Sequence, residues 1–107
     1  MIKKFLTFSI ALLALTSFEA MSQNKNKVIA HRGAWKNTGV TENTIGALEH
    51  AIKLGCYGSE FDVHMSSDSV VFVHHDHAFK GTHIEKTTAA ELSQIKLPDG
   101  EFMPTLE

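Results

Sequence analysis

Cysteine is nearly absent from this chain, with Cys56 alone among 107 residues. One thiol excludes an intrachain disulfide framework and any cysteine-based zinc cluster. Neither sign of charge is in excess. Ten Lys+Arg against 12 Asp+Glu give a formal charge of −2, which leaves no basic footprint for nucleic acid. No apolar run is long enough to cross a bilayer, which needs roughly 20 residues. The longest, Phe5–Leu15, falls well short. There is no internal repeat and no low-complexity tract. What remains is ordinary globular composition, 43% hydrophobic, enough for one domain at most.

The N-terminus is set apart from the rest. Lys3 and Lys4 form a positive start, Phe5–Leu15 an apolar stretch, and Ala20-Met21-Ser22 a small-residue cleavage pattern. That order predicts a secretory signal peptide over residues 1–22, then a polar leader over 23–27 and a folded part over 28–107. The expectation is an exported protein, periplasmic or secreted, with no stable membrane anchor after cleavage. All seven histidines lie in the exported part. Without disulfides, its stability must come from packing or metal.

The pattern beyond residue 27 reads β-α-β-β-α. Lys27–Ala30 is a short apolar strand running into a loop at His31-Arg32-Gly33. Thr44–Leu54 has helical spacing at Ile45, Leu48 and Ile52, with Thr41 or Asn43 as cap and Gly55 as stop. Ser59–Met65 alternates as a strand, and Val70–Val73 reads as a strand buried on both faces. Thr88–Glu91 is a capping box opening a helix through Ile95, and Asp99-Gly100 marks a turn. The helix between the first two strands predicts a parallel crossover. The four-residue link Ser66–Ser69 is too short for one, so the pattern alone predicts a hairpin there.

Three groups could carry chemistry. Alternation places Glu60, Asp62 and His64 on one strand face, where two carboxylates about 7 Å apart can grip a hard cation, Ca²⁺ or Mg²⁺. A solvated strand face explains the same spacing. Arg32, the only arginine of the mature chain, sits at a strand end beside His31, and its planar fork suits a phosphate. The cluster His74-His75-Asp76-His77 ends the buried strand, with His74 and His75 pointing to opposite faces. Clustered histidines suggest zinc, but neither helical His spacing nor cysteine accompanies them. A polar strand end accounts for them equally well, and a helix cap accounts for Glu42-Asn43. All three groups stand at carboxyl ends of strands, where parallel α/β folds build sites. Together they form a workable set for metal-assisted phosphodiester cleavage.

Ile29-Ala30-His31-Arg32-Gly33, Glu42-Asn43-Thr44, Glu60-Phe61-Asp62-Val63 and His75-Asp76, in that order, resemble the glycerophosphodiester phosphodiesterases. Thr88–Leu92 and Pro104-Thr105-Leu106-Glu107 extend the likeness to nearly all of residues 27–107. The resemblance implies a TIM (β/α)₈ barrel, with about its first three strands in this chain and parallel strands on either side of Ser66–Ser69. It implies His31 and His75 as acid and base, Glu60 and Asp62 as metal ligands, and Arg32 as phosphate ligand. Glu42 is placed at the substrate or metal site. The implied reaction is divalent-cation-dependent hydrolysis of a small glycerophosphodiester to glycerol phosphate and an alcohol. Thr41, Ser69 and Lys80 depart from the family's usual proline, glycine and arginine. A barrel of this kind takes about 250 residues, and the family's third metal ligand lies on the next strand. The chain is therefore expected to be the N-terminal part of a longer reading frame. The alternatives are a non-catalytic secreted module that binds a phosphodiester, or an inactive remnant. A lysolipid-directed phospholipase D-like branch would ordinarily carry disulfides, and a histidine-rich zinc-binding export protein is the remaining rival.

Overall fold

The computed structural model describes residues 25–107. The expected signal peptide lies outside the described residues. Among those described, no helix is long and apolar enough to cross a membrane.

The chain begins with a β-α-β unit. Strand β1, Ile29–His31, pairs in parallel with β2, Gly58–Glu60, in the register Ile29↔Gly58, Ala30↔Ser59, His31↔Glu60. Helix α1, Ile45–Lys53, makes the crossover. Its cap is Thr44, whose Oγ1 accepts from the Ala47 N–H at 3.1 Å. That removes both expected caps, Thr41 and Asn43, to other work. Gly55, at φ +68°, ends the helix as expected. Small residues let helix and loop approach closely. A Cβ on Gly33 would meet the Ala47 Cβ at 2.5 Å, and the Ala34 N–H donates to the Ala47 carbonyl at 2.9 Å.

The predicted strand Ser59–Met65 is two strands. It breaks at Phe61-Asp62, and β3, Val63–Met65, turns away to pair antiparallel with β4, Val71–Val73. The break has a local cause. The Asn43 side chain takes the Asp62 N–H at 3.2 Å, and the Asp62 carbonyl receives the His74 N–H at 2.9 Å. The parallel arrangement implied by resemblance is therefore corrected, and the pattern-based hairpin holds. Its turn is built from Ser66 and Asp68, with Ser69 in the left-handed region at φ +67°. A four-residue link has no room for a crossover, which needs about a dozen.

A second hairpin, unexpected from sequence, joins β5, Ala78–Phe79, to β6, Thr82–His83. Its turn residues Lys80 and Gly81 both have positive φ, as a type I′ turn requires. A 3₁₀ turn over Ile84–Lys86 and the short helix α2, Ala89–Leu92, follow. Thr88 caps α2 by accepting from Glu91, but the helix ends at Leu92 rather than Ile95. Phe72, Ile84, Leu92 and Met103 form one buried cluster, with Val70, Phe79, Ala89 and Ile95 packed around it. The strand β4 is buried chiefly through Phe72, while Val71 and Val73 are half-buried.

Candidate active site

The end of β1 turns sharply because Arg32 and Gly33 both take positive φ, +58° and +82°. Left-handed backbone costs a non-glycine residue about 1–2 kcal/mol. Here it is held by two bonds. The Arg32 N–H donates to Glu60 Oε2 at 3.1 Å, and its carbonyl receives the Asn43 N–H at 2.9 Å. The turn carries the Arg32 guanidinium in among acidic side chains. Its Nη1 donates to Glu42 Oε2 at 2.7 Å, and its Nε lies 3.8 Å from Asp62 Oδ2. Hydrogen bonding to Glu42 holds the guanidinium proton still more firmly, with the charges of Asp62 and Glu60 adding to the effect. The Nε is buried and has no hydrogen-bond acceptor.

His31 stands beside this group, Nε2 3.8 Å from Glu60 Oε2, and is largely exposed. The register His31↔Glu60 puts both at the same level of the parallel pair. Asp62 is fixed by Asn43, whose Nδ2 donates to Asp62 Oδ2 at 3.1 Å while its Oδ1 takes the Asp62 N–H. Asn43 is 4% exposed and itself left-handed, at φ +55°. Its role is to hold Asp62, not to cap the helix. The only sequence signal for that was its place in Glu42-Asn43-Thr44.

The end of β4 reaches the same place through the bond from His74 N to Asp62 O. Burial pushes the His74 imidazole below its ordinary pKa, and its ring packs edge-on to Phe79 at 5.6 Å. The neighbouring His75 is exposed. Its Nδ1 donates to Asp76 Oδ1 at 2.7 Å, which fixes the ring's tautomer and leaves Nε2 to accept or deliver a proton. Hydrogen bonding from His75 lowers the Asp76 pKa, and Arg32 is among the charges that act with it. Asp76 thus orients His75, a function that the sequence reading did not assign.

The predicted residues therefore group unequally. His31, Arg32, Glu42, Glu60 and Asp62 are joined by direct contacts, and His75 stands at the adjoining strand end. His64 is not with Glu60 and Asp62, because the break at Asp62 carries β3 away. Its Nε2 bonds instead to the His75 carbonyl at 3.0 Å. The donor set fits a hard divalent cation. The bonds among described residues engage Oε2 of Glu60 and Oδ2 of Asp62, which leaves the other oxygen of each half-buried carboxylate for an ion. Glu42, the third carboxylate nearby, is committed to Arg32.

Residues 31–104 match the glycerophosphoryl diester phosphodiesterase family. The chain is 38% identical over 99 residues to a glycerophosphodiester phosphodiesterase of Caldanaerobacter subterraneus subsp. tengcongensis, covering 77% of this chain and 38% of that one. A human protein named lysophospholipase D GDPD1 is 36% identical over 74 residues, 68% of this chain and 23% of its own length. Among solved structures, a glycerophosphodiester phosphodiesterase from Parabacteroides distasonis superposes with a TM-score of 0.72 at 48% identity, over 79% of this chain and 36% of that one. Another, from Agrobacterium tumefaciens, gives 0.66 at 30%, over 76% and 39%. The chain spans little more than a third of the length of these bacterial relatives. The shared fold is the TIM barrel of this enzyme class, and the described residues hold its β1–α1–β2 opening.

Proposed function

The chain belongs to the glycerophosphoryl diester phosphodiesterase family, and on that premise we propose that it serves the metal-dependent hydrolysis of glycerophosphodiesters to glycerol phosphate and an alcohol. The observation that carries the reading is Arg32. Its guanidinium is clasped by Glu42 and flanked by Asp62, yet its buried Nε lacks an acceptor. About a fifth of the side chain stays open to solvent, and there the fixed guanidinium can meet a phosphodiester oxygen.

Glu60 and Asp62 would hold Ca²⁺ or Mg²⁺, which when bound neutralises charge on the phosphate oxygens. Glu60 also fixes the Arg32 backbone, so the same carboxylate serves the cation and the loop that presents the guanidinium. Asn43 keeps Asp62 in place. His31 and His75 share the proton work: one takes the proton from the attacking hydroxyl, and the other delivers one to the departing alcohol oxygen. Asp76 keeps the His75 Nε2 available for either task. Export through residues 1–22 belongs to the same proposal, on the strength of Lys3, Lys4 and the Phe5–Leu15 run.

The test is glycerophosphocholine turnover by the intact enzyme that carries this sequence, with Mg²⁺ or Ca²⁺ and with chelator. The expected result is choline release that needs the cation and falls at least about a hundredfold in His31→Ala and in His75→Ala. Turnover unchanged in either variant would remove that histidine from the reaction. Binding without turnover would make the protein a phosphodiester-binding module. A lysophospholipid is assayed alongside, because the human relative is named for that substrate class.

A further inference from the structure

The turn of β3 away from Asp62 gives His64 a different set of neighbours. His64, His77 and Glu85 come from β3, the residue before β5, and the 3₁₀ turn, and their ligand atoms lie within 4.8 Å of one another. The rings of His64 and His77 meet edge to face with centroids 4.7 Å apart. We propose that this trio is a second metal site, for a d-block divalent ion of the zinc class, separate from Glu60 and Asp62 and not dependent on the hydrolytic reading.

The donor set argues for the ion. Two imidazoles and one carboxylate make a borderline-soft site, and a zinc ion held by three protein ligands keeps its fourth position for water. Glu60 and Asp62 offer only oxygen, so the two sites differ in the metals they favour. The scaffold argues for its integrity. His64 Nε2 can only donate to the His75 carbonyl, so the neutral ring keeps its lone pair on Nδ1. Outer hydrogen bonds of this type are what orient metal-binding histidines. The His77 carbonyl receives the Ile84 N–H at 2.9 Å, which ties the 3₁₀ turn to His77. Ile84 is fully buried in the core cluster, so Glu85 projects from an anchored turn. Zinc–ligand bonds of about 2.0–2.1 Å put tetrahedral ligands roughly 3.4 Å apart, so closure needs only small rotations. His77 and Glu85 are exposed and free to make them. Among the described residues, no ion pair engages any of the three. Because His64 holds the His75 carbonyl, an ion here would brace the backbone of the residue assigned to proton transfer.

The experiment is titration of the purified chain with Zn²⁺ against a chromophoric chelator, with Co²⁺ absorption as a second readout of ligand geometry. Circular dichroism checks that each variant keeps its fold. The site predicts one Zn²⁺ per chain that survives the double substitution Glu60→Gln/Asp62→Asn. Affinity should drop by about tenfold or more in His77→Gln and in Glu85→Gln. His50→Gln, on α1, should leave it unchanged. Zinc binding that persists in His77→Gln and Glu85→Gln overturns the site. So does zinc lost only in the Glu60/Asp62 double variant, or no binding by the folded parent.

Discussion

The β1–α1–β2 unit buries Ala30, Ala47 and Ala51, whereas the region from β3 to residue 106 buries Phe72, Ile84, Leu92 and Met103. The first holds its shape by close backbone approach and polar bonds, and it leaves Ile29, Ile45, Leu48, Ile52 and Leu54 exposed. The second closes a core of large side chains around itself. The hydrophobic contribution scales with apolar area removed from water, so most of it lies in the second region. The candidate phosphate and metal residues lie chiefly in the first. Position of the site and stability of the chain therefore rest on different residues.

Substituting the core should cost most. Phe72→Ala removes the centre of the cluster and is expected to destabilise by about 3–5 kcal/mol, a large share of a stability of roughly 5–15 kcal/mol. Chemical denaturation should show most of the molecule lost, site included. Gly33→Ala comes next. A Cβ there overlaps Ala47, and the residue must stay left-handed, for a cost of roughly 2–5 kcal/mol. If the two regions are as separate as their packing indicates, hydrogen exchange should rise first in β1 and α1, while Phe72 and Leu92 stay protected. Exchange rising equally throughout would show one cooperative unit.

The smallest effect lies where the two regions touch. The Gly46 N–H donates to Glu101 Oε1 and the Thr41 N–H to Asp99 Oδ2, so a loop of the second region grips the start of α1. Thr41 needs its N–H for this, which the family's usual proline lacks. Burial raises the Glu101 pKa, and the neighbouring Asp99 raises it further. Glu101 Oε2 is itself buried without a partner. A carboxyl with a raised folded-state pKa contributes fully below its unfolded value of about 4.3 and loses that contribution as pH climbs through the raised one. Glu101→Gln should therefore be more stable than the parent at pH 7, by about 0.5 kcal/mol after allowance for solvent screening. Near pH 4 the two should coincide in thermal unfolding. An advantage that is the same at both pH values would remove ionisation as the cause.

Much of this molecule is determined by sequence alone. Helix α1, the hairpin at Ser66–Ser69, the Gly100 turn and the grouping of polar residues at strand ends follow from local rules that act within a few residues. The spacing of Ile45, Leu48 and Ile52 is set by the helical repeat, and four residues cannot cross over. Only the tertiary structure decided that Ser59–Met65 breaks in two, because the competing bond comes from Asn43, 19 positions away. That break separated His64 from Glu60 and Asp62 and set it beside His77 and Glu85. It also turned Asn43 from a cap into the support of Asp62. Period-two alternation fixes which face a residue takes only while the strand continues. Whether it continues depends on who supplies the next hydrogen bond, and that partner is chosen by the fold.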